Sequence, residues 1–308
     1  MTAGFRHEAL LYEGNEAFVR GTGSFVREGL DADETVLVVV DRAKIEMLRD
    51  HLGDDARHVS FEDMSAVGRN PARIIPLWRR FVAAQAGSRK GLRGVGEPID
   101  ARRSPDALVE CERHESLLNV AFHDGPSWSL LCPYDTRSLP ASVIEEALRN
   151  HPCTRNGRPE VNPAFRGLES CAAPFDIPLA EPPPSATRFV VDRDRLAELR
   201  AEVARHAEAH GLGGREADDL ALVVHELATN SIRHGGGAGE LLLWSDGPRV
   251  VAEMRDRGRI VDPLAGRVQP GLETTGGYGL WLANHLCDLV QIRAYRDGGA
   301  VRVHLARD

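Results

Sequence analysis

Nothing in this chain runs apolar for the roughly 18 residues that a membrane-spanning helix requires. The stretch Val36–Val40 has only the length of one buried strand. The opening segment MTAGFRHEALLYEGNE lacks the basic start and apolar core of a secretory leader, so a cytoplasmic protein is expected. Cysteine is scarce. Cys111, Cys132, Cys153, Cys171 and Cys287 are odd in number and scattered, which argues for reduced thiols rather than a disulfide framework, and no C-x-x-C pair suggests zinc. A basic excess is missing as well. The net charge of −8 gives no general affinity for nucleic acid or an anionic membrane.

What is present is an ordinary globular balance, 42% hydrophobic and 27% charged, over 308 residues. That length exceeds what one core usually serves, so two domains are expected. The boundary is read at 174–186, PFDIPLAEPPPSA, where prolines forbid helix and favour an extended spacer. Residues 1–173 form the first domain in this reading, with some of 151–173 as its loosely ordered tail, and 187–308 form the second.

The first domain alternates strands and helices. Strands are expected at Thr35–Val40 and Trp128–Cys132, and helices at Ala43–Leu52, Pro71–Ala86, Pro105–Phe122 and Ala141–Arg149. Such alternation predicts an α/β fold on a mostly parallel sheet. Trp78 and Trp128 read as core. The second domain reads as strand Arg188–Val191, helices Asp194–His210 and Arg215–His234, then strands Leu241–Ser245 and Val250–Arg255 joined at Asp246-Gly247. A helix at Leu280–Cys287 follows, and then strands Leu289–Tyr295 and Ala300–Leu305 around the turn Arg296–Gly299. Helices on one face of a mixed sheet give an α+β sandwich.

Three segments of the second domain carry chemistry. In the helix around HELATNSIRHG, Leu220, Val223, Val224 and Leu227 form a core face. Glu226, Asn230 and His234 lie four apart along another edge. A solvated polar edge explains that pattern equally well. Met254-Arg255-Asp256-Arg257-Gly258 places a carboxylate at a strand end with a glycine beside it, suited to an exocyclic amine and a flat ring. Gly276-Gly277-Tyr278-Gly279-Leu280 opens a helix with free backbone N–H groups, the arrangement that binds phosphate. His206 and His210, four apart on the preceding helix, read as solvated histidines on a polar face.

In this order and spacing the three segments resemble the N box and the two glycine boxes of the Bergerat-fold ATPases, the superfamily of histidine kinases, gyrase and Hsp90-type chaperones. The likeness covers nearly all of the second domain. It is greatest to anti-sigma factors with serine/threonine kinase activity, because Glu226 stands four residues before Asn230 and the segment between the glycine boxes is short. The resemblance implies that Asn230 ligates Mg²⁺, that Glu226 acts as general base, that Asp256 holds the adenine amine and that Gly258 lies beside the base. Gly276, Gly277 and Gly279 would cradle the ATP phosphates, with Leu280 beside them, and Arg233 or His234 would add a contact to phosphate or partner. The chain departs from the pattern at Ile260, where the first glycine box usually has its second glycine, and its last strand lacks a supporting threonine.

The first domain resembles a MEDS sensory module of a recombinase-like α/β fold. The likeness rests on FRHEALLY at Phe5–Tyr12, Arg93-Gly94-Val95-Gly96-Glu97, CERHESLLN at 111–119 and Cys132-Pro133-Tyr134-Asp135. Gly21-Thr22-Gly23 lacks the Lys-Ser/Thr pair of a working P-loop, so no ATP hydrolysis is expected there. Glu112, Glu115 and Asn119, with His114, fall near one another on a predicted helix, and line either a sensor pocket or a structural network. Cys132–Asp135 is a plain turn or a ligand contact at a strand end.

The combined expectation is a regulatory protein kinase that uses ATP and Mg²⁺. It would phosphorylate serine or threonine of an anti-sigma-factor antagonist, with a sigma factor as further partner and a homodimer by analogy. A small-molecule ligand or a partner of the first domain would gate it, and neither nucleic acid nor membrane is an expected partner. Two alternatives stand beside this reading: a non-catalytic ATP-binding switch and an atypical histidine kinase.

Overall fold

The computed structural model describes residues 4–171, 175, 177–271 and 277–307. It divides into two compact units, Met1–Phe175 and Asp176–Asp308.

The first unit is built on a seven-stranded sheet ordered β3-β2-β4-β5-β1-β6-β7 among the described residues. Its strands are β1 (Phe5–Tyr12), β2 (Thr35–Val40), β3 (Val59–Asp63), β4 (Leu92–Gly96), β5 (Trp128–Asp135), β6 (Cys153–Asn156) and β7 (Arg158–Val161). All pair in parallel except β6 with β7. The helices are α1 (Gly14–Asp31), α2 (Arg42–Leu52), the short α3 (Met64–Val67), α4 (Ile74–Ala84), α5 (Pro105–Phe122) and α6 (Ala141–Asn150).

Local signals set several of these boundaries. Asp41 caps α2 by accepting from the Lys44 N–H at 2.9 Å. Ser104 caps α5 with Pro105 at its first position and Asp106 in its first turn, where missing donors and the helix dipole favour them. The expected helix at Pro71–Ala86 begins instead as a 3₁₀ turn, Pro71–Arg73, capped by Asn70. Pro76 lies inside α4 but near its start, where proline costs the fewest hydrogen bonds.

Helices cover both faces of the sheet, as parallel sheets require. Phe18, Phe25 and Val26 of α1 and Ile45 and Leu48 of α2 pack with Leu10, Val38, Val95 and Leu131 on one side. On the other, Trp78 and Trp128 are buried with ring centroids 5.7 Å apart. Gly94 and Gly96 make room for them: a Cβ at Gly94 would sit 2.8 Å from Trp78 Cζ3, and one at Gly96 3.0 Å from Cζ2. Gly21 and Gly23 lie inside α1, packed against Leu10 and His51, and not in a strand-to-helix loop.

Within the segment read in part as a loosely ordered tail, residues 153–161 instead form β6 and β7. Their hairpin turns at Asn156-Gly157, with Gly157 at φ 74°. Buried Arg155 binds Glu8 of β1 at 2.8 Å and Glu28 of α1 at 2.9 Å, and Asn162 donates to the carbonyls of Leu148 and His151. Long-range ion pairs order this stretch, and local sequence does not display them.

The second unit has the sheet order β11-β12-β10-β9-β8, with β8 (Thr187–Val191), β9 (Gly239–Asp246), β10 (Arg249–Asp256), β11 (Leu289–Tyr295) and β12 (Gly298–Ala306). Every pairing is antiparallel, so the expected mixed sheet is corrected to an antiparallel one. Its described helices are α7 (Leu196–Ala209), α8 (Gly214–His234) and α9 (Tyr278–Leu286). Leu220, Val223, Val224 and Leu227 of α8 meet Leu199 and Val203 of α7 and Leu241, Val250, Ala252 and Val303 of the sheet in one core. The Asp246-Gly247 turn is as expected, with Arg249 opposite Asp246. The last turn is tighter, because Gly298 and Gly299 already pair within β12. His206 and His210 are half-buried and stacked on each other at 4.1 Å, not fully solvated.

The start of this unit adds tertiary contacts to the stretch read as an extended spacer. Ile177 and Ala180 offer carbonyls to Arg293 and Arg302, and the Leu179 N–H donates to the Tyr295 hydroxyl at 3.2 Å. That part of the proline-rich stretch is strapped to β11 and β12.

Candidate functional site

The C-terminal end of α8, the end of β10, the start of β12 and the start of α9 enclose a cavity of about 400 Å³. Its walls are mainly apolar: Leu227, Met254, Ile260, Leu280 and Val301. A few polar groups, Asn230, Ser231, His234 and Asp256, break that surface. The volume and the ratio of apolar to polar lining are those of a pocket for a small organic molecule.

Asp256 is fixed from two sides. Ser231 Oγ donates to Oδ2, and the Gly258 N–H donates to Oδ1 at 2.7 Å. A carboxylate oxygen accepts more than one hydrogen bond, so the held carboxylate keeps capacity for an exocyclic amine. Gly258 and Gly235 allow the strand end to close on the helix end. A Cβ at Gly258 would lie 2.8 Å from the His234 carbonyl, and one at Gly235 only 2.4 Å from Asp256 Cγ. Ser231 was not among the residues singled out above. It is buried, and its signal was its place one residue after Asn230, on the face turned to the sheet.

Asn230 lines the cavity, and α9 comes close to it at Gly279. A Cβ there would meet Asn230 Nδ2 at 2.9 Å and Glu226 Oε2 at 3.4 Å. Gly277 caps α9 in the left-handed conformation, φ 86°, which only glycine adopts without cost. The approach to α9 is tied down by Asn284, which donates to the Gly266 carbonyl at 2.9 Å, and by Tyr278, whose hydroxyl donates to that of Pro270.

Of the candidate residues, Asn230, His234, Asp256, Gly258, Gly277 and Leu280 therefore share one cavity. Glu226 and Gly279 face each other beside it. Arg233 is exposed at the end of α8 and is not part of the lining. Gly276 lies outside the described residues. At the position of the missing glycine, Ile260 supplies an apolar wall, and the last strand contributes Gly299, Ala300 and Val301 to the lining.

Residues 189–305 match the family model of the histidine kinase-like ATPase domain, and residues 6–152 match MEDS, the methanogen/methylotroph DcmR sensory domain. The chain joins a MEDS domain to a histidine kinase-like ATPase domain. Comparison with curated proteins gives no match. A solved structure, the RsbU and RsbW domains of Rv1364c from Mycobacterium tuberculosis, matches at 17% identity with a TM-score of 0.31. The match covers 40% of this chain and 33% of that one, so this chain spans about a third of that structure's length.

The ATPase domain's cavity is compatible with ATP. A flat base is suited by the apolar walls and by Asp256 held with acceptor capacity in hand. A hard cation is suited by the side-chain oxygen of Asn230. No helix among the described residues is long and apolar enough to cross a membrane.

The MEDS domain brings other candidate residues together in its interior. Glu115, Asn119 and Cys132 meet His7 and His151 in a fully buried cluster. Burial and the neighbouring His151 push the His7 imidazole down to about 4. Glu112 stands apart from the cluster. Burial, then the nearby Glu146 carboxylate, raises its pKa to about 7. Of Cys132–Asp135, Asp135 closes a turn by accepting from the Arg137 N–H and the Ser138 hydroxyl.

Proposed function

We propose that the ATPase domain binds ATP with Mg²⁺ and transfers the terminal phosphoryl group to a serine or threonine of an anti-sigma-factor antagonist, under control of the MEDS domain. The observation that carries this reading is the meeting of Asp256, Asn230 and Gly277 around one cavity, with Gly279 close to Asn230 and the Glu226 carboxylate beside it.

Each group then has a task. Asp256 selects the base by accepting from its amine. Asn230 supplies an oxygen to the cation, which neutralises charge on the phosphates. The N–H groups that open α9 face the phosphate oxygens. Glu226 takes the proton from the attacking hydroxyl, whose oxygen bonds to the terminal phosphorus while the bond to the bridging oxygen breaks and ADP leaves. A carboxylate suits this role because it stands next to the cation ligand without being consumed as one.

The test is Glu226→Gln in the full chain, assayed with labelled ATP, Mg²⁺ and candidate antagonists. Phosphotransfer should fall by roughly 10²–10⁴-fold, the usual worth of a general base. Nucleotide affinity by calorimetry should stay within a few-fold. If the wild type binds nucleotide yet labels no antagonist, the domain is a non-catalytic switch. Acid-labile phosphate on the chain itself would point to a histidine kinase.

A further inference from the structure

The interior of the MEDS domain holds four side chains of ligating chemistry that local hydrogen bonding leaves facing one another. His7 comes from β1, Cys132 from β5, Glu115 from α5, and His151 from the residue after α6. All are buried, and one ligating atom from each falls within 4.8 Å of all the others. His7 Nε2 is 3.3 Å from both Cys132 Sγ and Glu115 Oε2, and His151 Nε2 is 3.4 Å from the same carboxylate oxygen.

The second ring nitrogens fix the tautomers. His151 Nδ1 is 2.7 Å from the Ala147 carbonyl, which only accepts, so Nδ1 carries the proton. His7 Nδ1 is 3.1 Å from Asn119 Oδ1. That amide is oriented by Nδ2, which donates to the carbonyls of Ser116 and Asn150, so its oxygen also accepts from His7. Both neutral imidazoles thus point an Nε2 lone pair at a carboxylate.

One thiol proton cannot serve two imidazole nitrogens and two carboxylate oxygens. Accordingly, both Glu115 oxygens and His151 Nε2 are buried without a hydrogen-bond partner. Buried acceptors left so are costly, and a cation among them would satisfy all three at once.

We propose that His7, Glu115, Cys132 and His151 form a binding site for a divalent cation of the zinc class. Zinc takes imidazole nitrogen, thiolate and carboxylate at about 2.0–2.3 Å, which in a tetrahedron separates neighbouring ligand atoms by about 3.3–3.7 Å. The 3.3 and 3.4 Å separations match. Charge also balances: thiolate and carboxylate carry two negative charges between them, so a divalent ion makes the buried centre neutral. Binding forms the metal–sulfur bond as the Cys132 S–H bond breaks, and the proton leaves to solvent. The Nδ1 bonds to Ala147 and Asn119 are the outer contacts that hold ligating histidines in place. The ion would join two strands of the sheet to the α5–α6 side of the domain.

The experiment is a titration of the full, metal-stripped chain with Co²⁺, then displacement by Zn²⁺ against a chromophoric chelator. One equivalent per chain is expected, with a thiolate-to-cobalt charge-transfer band and the intense visible bands of tetrahedral cobalt. Zinc should also raise the thermal midpoint reported by Trp78 and Trp128. Cys132→Ser should abolish the charge-transfer band. Asn119→Ala, which leaves all four ligands in place, should weaken binding about 10–100-fold. Cys287→Ser, in the other domain, should change nothing.

The proposal is overturned if the folded wild type takes up no cobalt or zinc at micromolar concentrations. It is likewise overturned if cobalt binds without the thiolate band, or if Cys132→Ser, folded by circular dichroism, keeps that band. The wild-type spectrum decides the matter even where a variant fails to fold.

Discussion

His304 lies buried on β12, with Nε2 3.0 Å from Gln291 Oε1. Burial, together with Arg249 and Arg302, pushes its pKa down to about 3 from an ordinary 6.5. The folded domain binds this proton less readily than the unfolded chain, so the full stability is present above about pH 6.5. It is lost as pH falls towards the folded value, by up to roughly 1.4 kcal/mol per pH unit from this group. Urea midpoints followed through Trp244 and Trp281 between pH 7 and 5 should fall. His304→Gln should flatten that slope; a variant that keeps the wild-type slope refutes the assignment. At this same scale the candidate site was half legible. Asn230 and Asp256 stand out because amide and carboxylate break otherwise apolar patterns, whereas Ser231 was hidden because serine in a helix has many uses and its partner is 25 residues away.

At the scale of elements, α8 illustrates what periodicity carries. Its apolar face and its Glu226–Asn230–His234 edge are both consequences of the helical repeat, and the structure packs the first into the core and brings Glu226 and Asn230 of the second up to Gly279 of α9. Strand β4 illustrates what periodicity omits. Leu92-Arg93-Gly94-Val95-Gly96 has low strand propensity at its glycines, yet it is a buried strand because Trp78 fills the space they leave. A methyl group at Gly94 would press on Trp78, Leu130 and Trp128 at 2.8, 3.0 and 3.1 Å. Gly94→Ala is therefore expected to destabilise the MEDS domain by roughly 1–3 kcal/mol, the range of core overpacking. Chemical denaturation read through the buried tryptophans checks this, and an unchanged midpoint would mean that β4 yields freely. The β6–β7 hairpin was missed for a related reason. Its Asn-Gly turn is a recognisable signal, but the strands are short and polar and are held by Arg155 to Glu8 and Glu28.

At the scale of the molecule, each domain carries its own pair of tryptophans, Trp78 and Trp128 in one and Trp244 and Trp281 in the other. A ligand that binds one folded domain stabilises it by about 2.7 kcal/mol at a hundred times its dissociation constant. ATP with Mg²⁺ should therefore raise the unfolding midpoint seen by Trp244 and Trp281 in a variant lacking the other two. Absence of any shift at saturating nucleotide would remove the basis of the kinase proposal.

By itself the sequence determined the division into two domains, the mostly parallel α/β character of the first, the helix-and-sheet character of the second, and the three segments whose residues line one cavity. Those features follow from apolar periodicity, turn residues and short motifs, all of which act within a few residues of chain. The tertiary structure alone decided how the proline-rich stretch is strapped to β11 and β12, that the ATPase sheet is wholly antiparallel, and that His7, Glu115, Cys132 and His151 meet. Strand order and helix packing bring together residues as far as 144 positions apart, from His7 to His151, and no local pattern encodes which buried side chains will face each other across a sheet.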